Sequence, residues 1–511
     1  MKKKNGLWIF TVLVSLLGIT WADRPNVIVF LVDDMGVMDT SVPFLTDEAG
    51  APKRYPLNDW YRTPSMQRLA DLGIRFNNFC AQSVCSPTRA SIMTGQNATR
   101  HGTTTWINPS TNNKGKYGPP EWNWTGIKKD EVTLPRVLSA NGYRTIHIGK
   151  AHFGPLKEVG SDPLNVGFDV NVGGASWGRP KSYYASDHYG NHPKFNEGKG
   201  GMTHNVPHLE KYYDTETFLT EALTLEANAL LAKTVAEKKP FFLHMAHYAL
   251  HAPFNPDPRY AANYANSDKG KPAENYATLV EGMDKSLGDI LDQLEKLGVA
   301  EETLVVFLGD NGSDAPLGDK YGHTSSAPLR GKKGSHYEGG MRVPFIAAWA
   351  KPDPTNKWQK KLPIARGAIQ AQLGTVMDLY PTILALAGVE DPAGHVVDGV
   401  DLAMQLSGKT NPSRPDVFLM HFPHGPHRST YFTSYRSGDW KVVYDYSPDG
   451  KSDSKHELFN LKSDPFENEN LAAQHPEKME QMITAMARQL EAENACYPVD
   501  STGNELKPFV Q

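Results

Sequence analysis

Acidic side chains follow two strongly apolar segments of the chain. The first segment reads NVIVFLV and leads to Asp33 and Asp34, and the second reads LVVFLG and leads to Asp310 and Asn311. Such runs are typical of strands buried on both faces of a parallel sheet, and residues just beyond these strands meet at one edge. Either acidic pair alone would be interpreted as turn residues. Together they supply four oxygen donors without sulfur or histidine, which predicts a site for Ca²⁺ or Mg²⁺.

A cysteine with unusual neighbours is the second candidate for chemistry. Residues 85–95 read CSPTRASIMTG, so that Pro87 and Arg89 follow Cys85 at two and four residues. No CxxC pattern or Cys/His metal spacing surrounds this thiol. The chain of 511 residues has three cysteines, too few for an exported protein whose fold depends on disulfides. Cys80 lies in an apolar strand-like run and is predicted to be a small core residue.

Basic side chains follow other predicted strands. The segment IGKAH carries Lys150 and His152, and HYALHAPF carries His247 and His251. The glycine-rich segment RGKKGSHYEGG at 330–340 carries Lys333. Singly, a lysine in such a loop is usually a solvated charge and a histidine usually a structural residue. In combination with the acids and the cysteine, they are candidates for binding an anion and transferring a proton.

The elements that must position these residues alternate between strands and helices. Apolar strand-like runs at 26–32, 144–148, 241–245, 304–308 and 345–349 are separated by helical patterns, the longest at 217–237 and 277–297. This alternation predicts an α/β fold with a doubly wound, mixed and mostly parallel sheet flanked by helices. Residues 155–215 show little periodicity and are predicted to form loops that line a functional site. From residue 411, short strand patterns and the helix 476–492 predict a smaller C-terminal subdomain with an antiparallel sheet.

The N-terminus predicts export. Lys2, Lys3 and Lys4 precede a short apolar run, and small residues follow at the usual cleavage offsets. We therefore expect a cleavable signal peptide at 1–22, a mature chain from near Asp23, a catalytic domain at 23–410 and the subdomain at 411–511. The expected location is periplasmic or secreted, and no other segment reads as a membrane span. A net charge of −4 provides no overall attraction for nucleic acid.

The motifs, taken in order along the chain, resemble those of the type I sulfatases. The resemblance rests on PNVIVFLVDDMG, CSPTRASIMTG, GYRTIHIGKAHFG, HAPF, LGDNG, GKKGSHYEGGMRVPFI and, near the C-terminus, HELFNLKSDPFENENLA. It covers most of the chain except 155–215. It implies the alkaline phosphatase-like fold and hydrolysis of sulfate monoesters. It also implies that a formylglycine-generating or anaerobic maturation enzyme oxidises Cys85 to formylglycine, whose hydrate attacks sulfur and forms a covalent sulfo-enzyme.

The resemblance also implies a role for each candidate residue. It assigns one divalent cation per chain, Ca²⁺ with Mg²⁺ as an alternative, to Asp33, Asp34, Asp310, Asn311 and the modified residue 85. Arg89 would steady the hydrated aldehyde, and Lys150 and Lys333 would bind the sulfate oxygens. His152 would act as base when the sulfo-enzyme breaks down, and His251, with Lys333, would protonate the departing alcohol.

Three positions depart from the family's usual pattern. Thr88 replaces a common serine but keeps the hydroxyl, and Leu250 replaces a common proline, which leaves His247 beside His251 as a candidate acid. Lys332 replaces a common glycine and is an alternative to Lys333. A formylglycine-dependent hydrolase of phosphonate or phosphate esters is the nearest alternative function, and a non-catalytic protein that binds sulfated glycans is a second.

The export signal favours sulfated polysaccharides or their oligosaccharides as substrates. Basic side chains in 155–215 and 421–428 are candidates for sugar subsites. The sequence does not determine the sugar, the sulfated position or the choice between exo and endo action.

Overall fold

The computed structural model describes residues 24–195, 204–318, 325–425, 428, 430–448, 450 and 456–508. The predicted signal peptide lies outside these residues. Strands β1 to β14 are Asn26–Val32, Ile74–Phe76, Phe79–Cys80, Arg144–Gly149, Val170–Val172, Phe241–His247, Thr303–Gly309, Phe345–Trp349, Ala368–Gln370, Gly374–Thr375, Val417–Phe422, Phe432–Ser437, Trp440–Asp445 and Glu457–Asn460.

Helices of varied length connect these strands. Helices α1 to α14 are Pro56–Trp60, Pro64–Leu72, Cys85–Thr94, Ala98–His101, Leu134–Ala140, Pro163–Val166, Leu219–Ala236, Ala261–Tyr264, Lys271–Lys296, Glu338–Met341, Lys357–Lys361, Leu379–Ala387, Ala403–Leu406 and Pro476–Ala492. Short 3₁₀ turns occur at Val159–Ser161, Ala185–Gly190, Pro193–Phe195, Glu210–Tyr212, Ala300–Glu302 and Val376–Asp378. No helix in the described part of the chain is both long and apolar enough to cross a membrane.

Eight strands form the central sheet in the order β5-β4-β6-β1-β7-β8-β2-β9. All neighbours pair in parallel except those of β8, which runs antiparallel to β7 and β2. Alternate residues of β1 enter two apolar cores. Ile28, Phe30 and Val32 pack on the face covered by α2, α7 and α9, and the intervening side chains pack on the face covered by α3, α5 and α12. The predicted doubly wound, mostly parallel fold is confirmed.

A second sheet follows, with four antiparallel strands in the order β11-β12-β13-β14. One of its faces packs on α14 through residues such as Leu419 and Met486. The other face packs against Cys80, Val84 and Met341, which belong to the first part of the chain. Cys80 is buried, in agreement with its prediction as a core residue. The second sheet begins at Val417. The boundary between the domain and the subdomain at residue 411 stays a prediction.

Several element boundaries differ from the sequence predictions. The helix expected from residue 277 begins at Lys271, because Pro272 suits a first helical turn. A helical pattern also runs over 375–387, but the helix begins only at Leu379, after a short strand and a 3₁₀ turn. Residues 155–215 are not only loops, since β5 pairs with β4 from Ile146 to Ile148. The pairing of so short a strand depends on its neighbour rather than on its own pattern.

Candidate active site at the carboxyl edge of the central sheet

Register in the sheet brings the acidic pairs together. Val32 pairs with His247 of β6 on one side and Gly309 of β7 on the other, so the three strands end at one level. The amide of Asp310 donates to the carbonyl of Val32 at 3.0 Å, and the amide of Asp34 donates to Oδ1 of Asp310 at 3.0 Å. Oxygen atoms of Asp33, Asp34 and Asp310 lie within 4.8 Å of one another, and all three residues are fully buried.

Each buried carboxylate has a cationic partner. Lys150 Nζ lies 2.8 and 2.7 Å from the two oxygens of Asp33. Lys333 Nζ lies 2.6 and 2.7 Å from those of Asp34. Three cationic side chains therefore pair with three carboxyl groups, since Arg89 pairs with Asp310. Burial alone would raise the pKa of Asp34, but Lys333 and His251 lower it below its ordinary value.

Arg89 is held from all sides beneath the site. Its Nε and Nη2 donate to Oδ2 of Asp310 at 3.0 and 2.8 Å, and Nη1 donates to the carbonyl of Lys150 at 2.7 Å. Although burial disfavours the charged guanidinium, Asp310 and Asp33 raise its pKa. Arg89 lies one turn after Cys85 in α3, so the helix fixes the distance between the thiol and the acidic cluster.

The donor set fits a hard divalent cation. Three carboxylates converge, and Asn311 joins them by donating from Nδ2 to Asp34 at 3.0 Å. The Oδ1 atom of Asn311 is buried and has no hydrogen-bond partner among the described residues. An unpartnered buried amide oxygen beside three carboxylates is suited to metal coordination.

Cys85 is the first residue of α3 and faces a histidine. Its Sγ lies 3.4 Å from Nδ1 of His152, and it is 3% exposed. His152 Nε2 lies 2.7 Å from the carbonyl of Ile107, to which it donates. The Nδ1 atom of the neutral ring is therefore an acceptor directed at residue 85. Burial, together with Lys150, lowers the pKa of His152 well below its usual range.

The structure separates the two candidate acids and the two candidate lysines. His251 lines the same cavity as Cys85 and Lys333, with Nε2 3.7 Å from Asp34. His251 Nδ1 donates to the carbonyl of Ala252 at 3.0 Å. His247 is fully buried and contacts the hydroxyl of Ser286 instead. Lys332 is exposed at the surface.

The cavity above these residues has a volume of about 330 Å³. Its walls include two segments that do not carry the motifs, Trp106–Pro109 and Gly178–Arg179, together with His204. The first segment was missed by sequence reasoning. Its place in the sequence was a signal, because an aperiodic segment that closely follows the helix carrying Cys85 is expected to lie near the site. The amide of Ile107 donates a hydrogen bond to Ser86 Oγ at 3.1 Å, which fixes the position of this segment.

The candidate subsite residues at 421–428 are mostly structural. His421 bonds to Thr433 and to the carbonyl of Cys496, and His424 bonds to Thr104 at 2.7 Å. Both are buried and neither lines the cavity. His421 joins β11 to β12 and to the segment after α14, whereas His424 joins the second sheet to the first part of the chain. Arg428 pairs with Asp314, and His427 lies outside the described residues.

Comparisons with known proteins agree with this geometry. The sulfatase family model matches residues 25–389, and the model described as N-sulphoglucosamine sulphohydrolase, C-terminal, matches residues 332–495. The chain is 33% identical over 401 residues to N-acetylgalactosamine-6-sulfatase of Mus musculus, which covers 76% of this chain and 68% of that protein. It is 26% identical over 534 residues to a protein named Sulfatase of Formosa agariphila, covering 93% and 90% of the two chains.

A solved structure extends the agreement to the whole fold. The crystal structure of Ps i-CgsB superposes with a TM-score of 0.73 at 25% identity, covering 94% of this chain and 96% of that one. Fold, site and relatives together define an enzyme that hydrolyses esters of an inorganic acid. More particularly, the chain belongs to the sulfatase family and is a sulfuric ester hydrolase.

Proposed function

We propose that this protein is a formylglycine-dependent sulfatase that acts on sulfated polysaccharides or their oligosaccharides. The observation that carries the proposal is the position of Cys85. It lines the same cavity as His251 and Lys333, and its Sγ lies 3.4 Å from Nδ1 of His152. The relative from Mus musculus is named for a sulfated amino sugar, which supports a carbohydrate substrate here. The alternatives, a phosphonate or phosphate ester hydrolase and a non-catalytic glycan-binding protein, are outcomes of the tests below.

In the proposed site, the metal ligands are Asp33, Asp34, Asp310 and Asn311, together with residue 85 once it is modified. When bound, the divalent cation would supply positive charge that stabilises the anionic sulfate group in the transition state. We propose one cation per chain, Ca²⁺ with Mg²⁺ as the alternative, because the donors are all hard oxygen atoms. The cationic side chains already balance the three carboxylates, so the cation's charge remains available to an anionic substrate.

Residue 85 acts as nucleophile in the proposed mechanism. A hydrated aldehyde at this position carries two hydroxyl groups on one carbon. One hydroxyl gives up its proton to a carboxylate of the neighbouring acidic cluster, and its oxygen bonds to sulfur as the bond between sulfur and the alcohol oxygen breaks, which gives a covalent sulfo-enzyme. The second hydroxyl then loses its proton to Nδ1 of His152. The carbon–oxygen bond to sulfate breaks, the aldehyde forms again, and water restores the hydrate.

Binding of the ester and protonation of its leaving group fall to the basic side chains. Lys150 and Lys333 bind the sulfate oxygens, and Arg89 steadies the hydrate and balances nearby carboxylates. His251 protonates the departing alcohol from Nε2, which faces the cavity because Nδ1 donates to Ala252. Burial and the charge of Lys333 lower the pKa of His251. An anionic ester bound beside Lys333 offsets that charge and favours the protonated ring.

Two measurements test the proposed function. Mass spectrometry of a peptide spanning residues 76–100 should find an aldehyde in place of the Cys85 thiol. Cys85→Ala should abolish sulfate release from sulfated oligosaccharides while the thermal unfolding midpoint stays unchanged. The matched control is Cys496→Ala, which changes a cysteine remote from the cavity and should retain activity. Near-native sulfate release by Cys85→Ala would contradict the mechanism.

A parallel assay separates the alternatives. The native protein is given aryl sulfate, aryl phosphate and aryl phosphonate monoesters under the same conditions. Faster hydrolysis of the sulfate ester supports a sulfatase, and faster hydrolysis of a phosphorus ester supports the nearest alternative. Tight binding of sulfated oligosaccharides without any turnover would identify a glycan-binding protein.

We also propose that the protein is exported and matured by a separate enzyme. The proposal rests on the signal pattern at 1–22 and on Cys85 as the site of oxidation by a formylglycine-generating or anaerobic maturation enzyme. It includes a catalytic domain at 23–410 and a subdomain at 411–511. N-terminal sequencing of the exported protein tests it, since cleavage near Asp23 is the expected result. A mature chain that starts at Met1 would contradict it.

A further inference from the structure

Arg179 stands on a rigid wall of the substrate cavity. His152 donates from its amide to the carbonyl of Ala175 at 3.1 Å, and the Trp177 indole donates to Asn205 at 3.0 Å. Beyond Arg179, the amide of Lys181 donates to the carbonyl of His204 at 2.9 Å. Hydrogen bonds before and after Arg179 therefore fix its backbone beside the cavity.

The residue before Arg179 touches the proposed base directly. A Cβ atom at Gly178 would lie 2.8 Å from Cε1 of His152, so only glycine fits without displacing that ring. Gly178, Arg179 and His152 all line the cavity that contains Cys85. The close packing places Arg179 next to the reacting centre, in the region that the rest of the substrate must occupy.

The charge of Arg179 is not balanced in the way that the deeper charges are. Arg89, Lys150 and Lys333 each pair with a buried carboxylate. Within the described ranges, no carboxylate forms an ion pair with Arg179, although its side chain is half-buried. Its neighbour His204 does not add charge, because burial and Arg179 itself lower the pKa of His204 to about 4. Arg179 therefore presents a single guanidinium charge on this wall.

We propose that Arg179 binds a second anionic group of the substrate, either a carboxylate or a second sulfate on the sulfated sugar or its neighbour. A planar guanidinium matches both groups with two parallel hydrogen bonds, and partial burial strengthens the interaction. Trp106 also lines the cavity, and an aromatic side chain is suited to contact with a sugar ring. The inference rests on the proposed function of this site and predicts a preference for multiply charged glycans.

Three oligosaccharides of equal length test the proposal. One carries a single sulfate on neutral sugars, one carries a second sulfate, and one carries a uronate beside the sulfated sugar. Native protein should prefer at least one of the doubly charged substrates in kcat/KM, and the preferred one identifies the second group as sulfate or carboxylate. Arg179→Ala should reduce kcat/KM for that substrate by roughly tenfold to a hundredfold, because a charged hydrogen-bonded contact is lost.

The controls separate binding from structure. Arg179→Ala should change kcat/KM for the singly sulfated substrate less than about threefold. Arg179→Lys should recover part of the lost preference, since it keeps the charge without the fork. Lys181→Ala should leave all three activities unchanged, because the Lys181 ammonium lies over the Phe195 ring and does not line the cavity. Thermal unfolding checks that each variant folds.

Two results would overturn the proposal. One is an equal loss of kcat/KM for singly and doubly charged substrates in Arg179→Ala, and the other is a native protein that shows no preference for a second charge. Failure of the proposed function looks different, because native protein would then release sulfate from none of the three. In that event, calorimetric titration of the same oligosaccharides into native and Arg179→Ala protein decides whether Arg179 binds the second charge.

Discussion

Individual side chains in the site are held in one protonation pattern by their backbone partners. The carbonyl of Ile107 accepts a hydrogen bond from Nε2–H of His152, which leaves Nδ1 as an acceptor for residue 85. Arg89 uses three nitrogens, two on Asp310 and one on the carbonyl of Lys150. Such fixed partners keep the reacting groups oriented before a substrate arrives.

Removal of Arg89 should leave a buried carboxylate without its partner. We expect Arg89→Met to lower the free energy of unfolding by about 3 to 5 kcal/mol, because the buried Asp310 loses its ion-pair partner. Sulfate release should be lost as well. Chemical denaturation measures the change, and Arg54→Met is the control. Its ion pair with Asp59 is largely exposed, so its loss should cost less than about 1 kcal/mol. Equal effects of the two variants would contradict the expected role of burial.

Metal removal should affect both activity and stability. Chelation followed by dialysis should abolish sulfate release and lower the unfolding midpoint, because a bound cation stabilises the folded state only. Addition of Ca²⁺ should restore both. Asp310→Asn removes one of the three clustered carboxylates, so its unfolding midpoint should respond much less to chelator. A native protein with the same activity and midpoint before and after exhaustive chelation would argue against the metal site.

At the scale of elements, the second sheet holds the segment that carries Lys333. Lys441 of β13 contacts Glu338 at 3.0 Å and Glu467 at 2.6 Å, and all three are buried. Glu467 accepts from the amide of Glu338 at 2.7 Å, and Arg342 pairs with Glu338 at 2.5 Å. Residues 330–340 are thus fixed at their C-terminal end by a buried ionic network.

Loss of the shared lysine should disturb the site from a distance. We expect Lys441→Met to lower the free energy of unfolding by about 3 kcal/mol, since it leaves two buried carboxylates without their common partner. It should also lower kcat/KM, because Lys333 lies in the released segment. Combining it with Glu467→Gln should recover part of both losses. Lys462→Met is the exposed control, and a comparable loss in that variant would contradict the prediction.

At the scale of the whole molecule, the C-terminal helix is joined to the first part of the chain by Glu493. Its carboxyl contacts the hydroxyl of Thr99 and accepts from Gln489 at 2.7 Å. Burial raises the pKa of Glu493 to about 7. An acid whose pKa is raised on folding stabilises the fold only while it is protonated.

The sign of the resulting pH dependence can be measured. The stabilisation that Glu493 contributes should be complete below about pH 4.3, which is the pKa of a glutamate in an unfolded chain. It should disappear as the pH rises through about 7. Glu493→Gln should remove this dependence. Relative to native protein, the variant should gain about 3 to 4 kcal/mol in free energy of unfolding between pH 4 and pH 8. A difference that stays constant with pH would show that Glu493 does not titrate in this range.

The sequence by itself determined the class of fold, the family and the clustering of acids. Apolar runs such as NVIVFLV favour buried strands, and polar residues directly after parallel strands meet at one edge of the sheet. The sequence left two choices open, His247 or His251 as the acid and Lys332 or Lys333 as the lysine of the site. Residues so near one another in sequence have nearly the same local pattern. Sequence reasoning also missed the short strand β5 and the Trp106–Pro109 wall.

Only the tertiary structure decided which of these side chains face the cavity. Two backbone hydrogen bonds fix the turn that presents Lys333. The amide of Lys333 donates to the carbonyl of Ser313 at 3.2 Å, and the amide of Gly334 donates to the carbonyl of Ser83 at 2.8 Å. Both partners are distant in the chain, so no local spacing encodes the direction of the turn. The same holds for Arg179, whose place depends on the contacts of its neighbours Gly178 and Lys181 with His152 and His204. Strand ends follow from local pattern, whereas loop direction follows from long-range hydrogen bonds and packing.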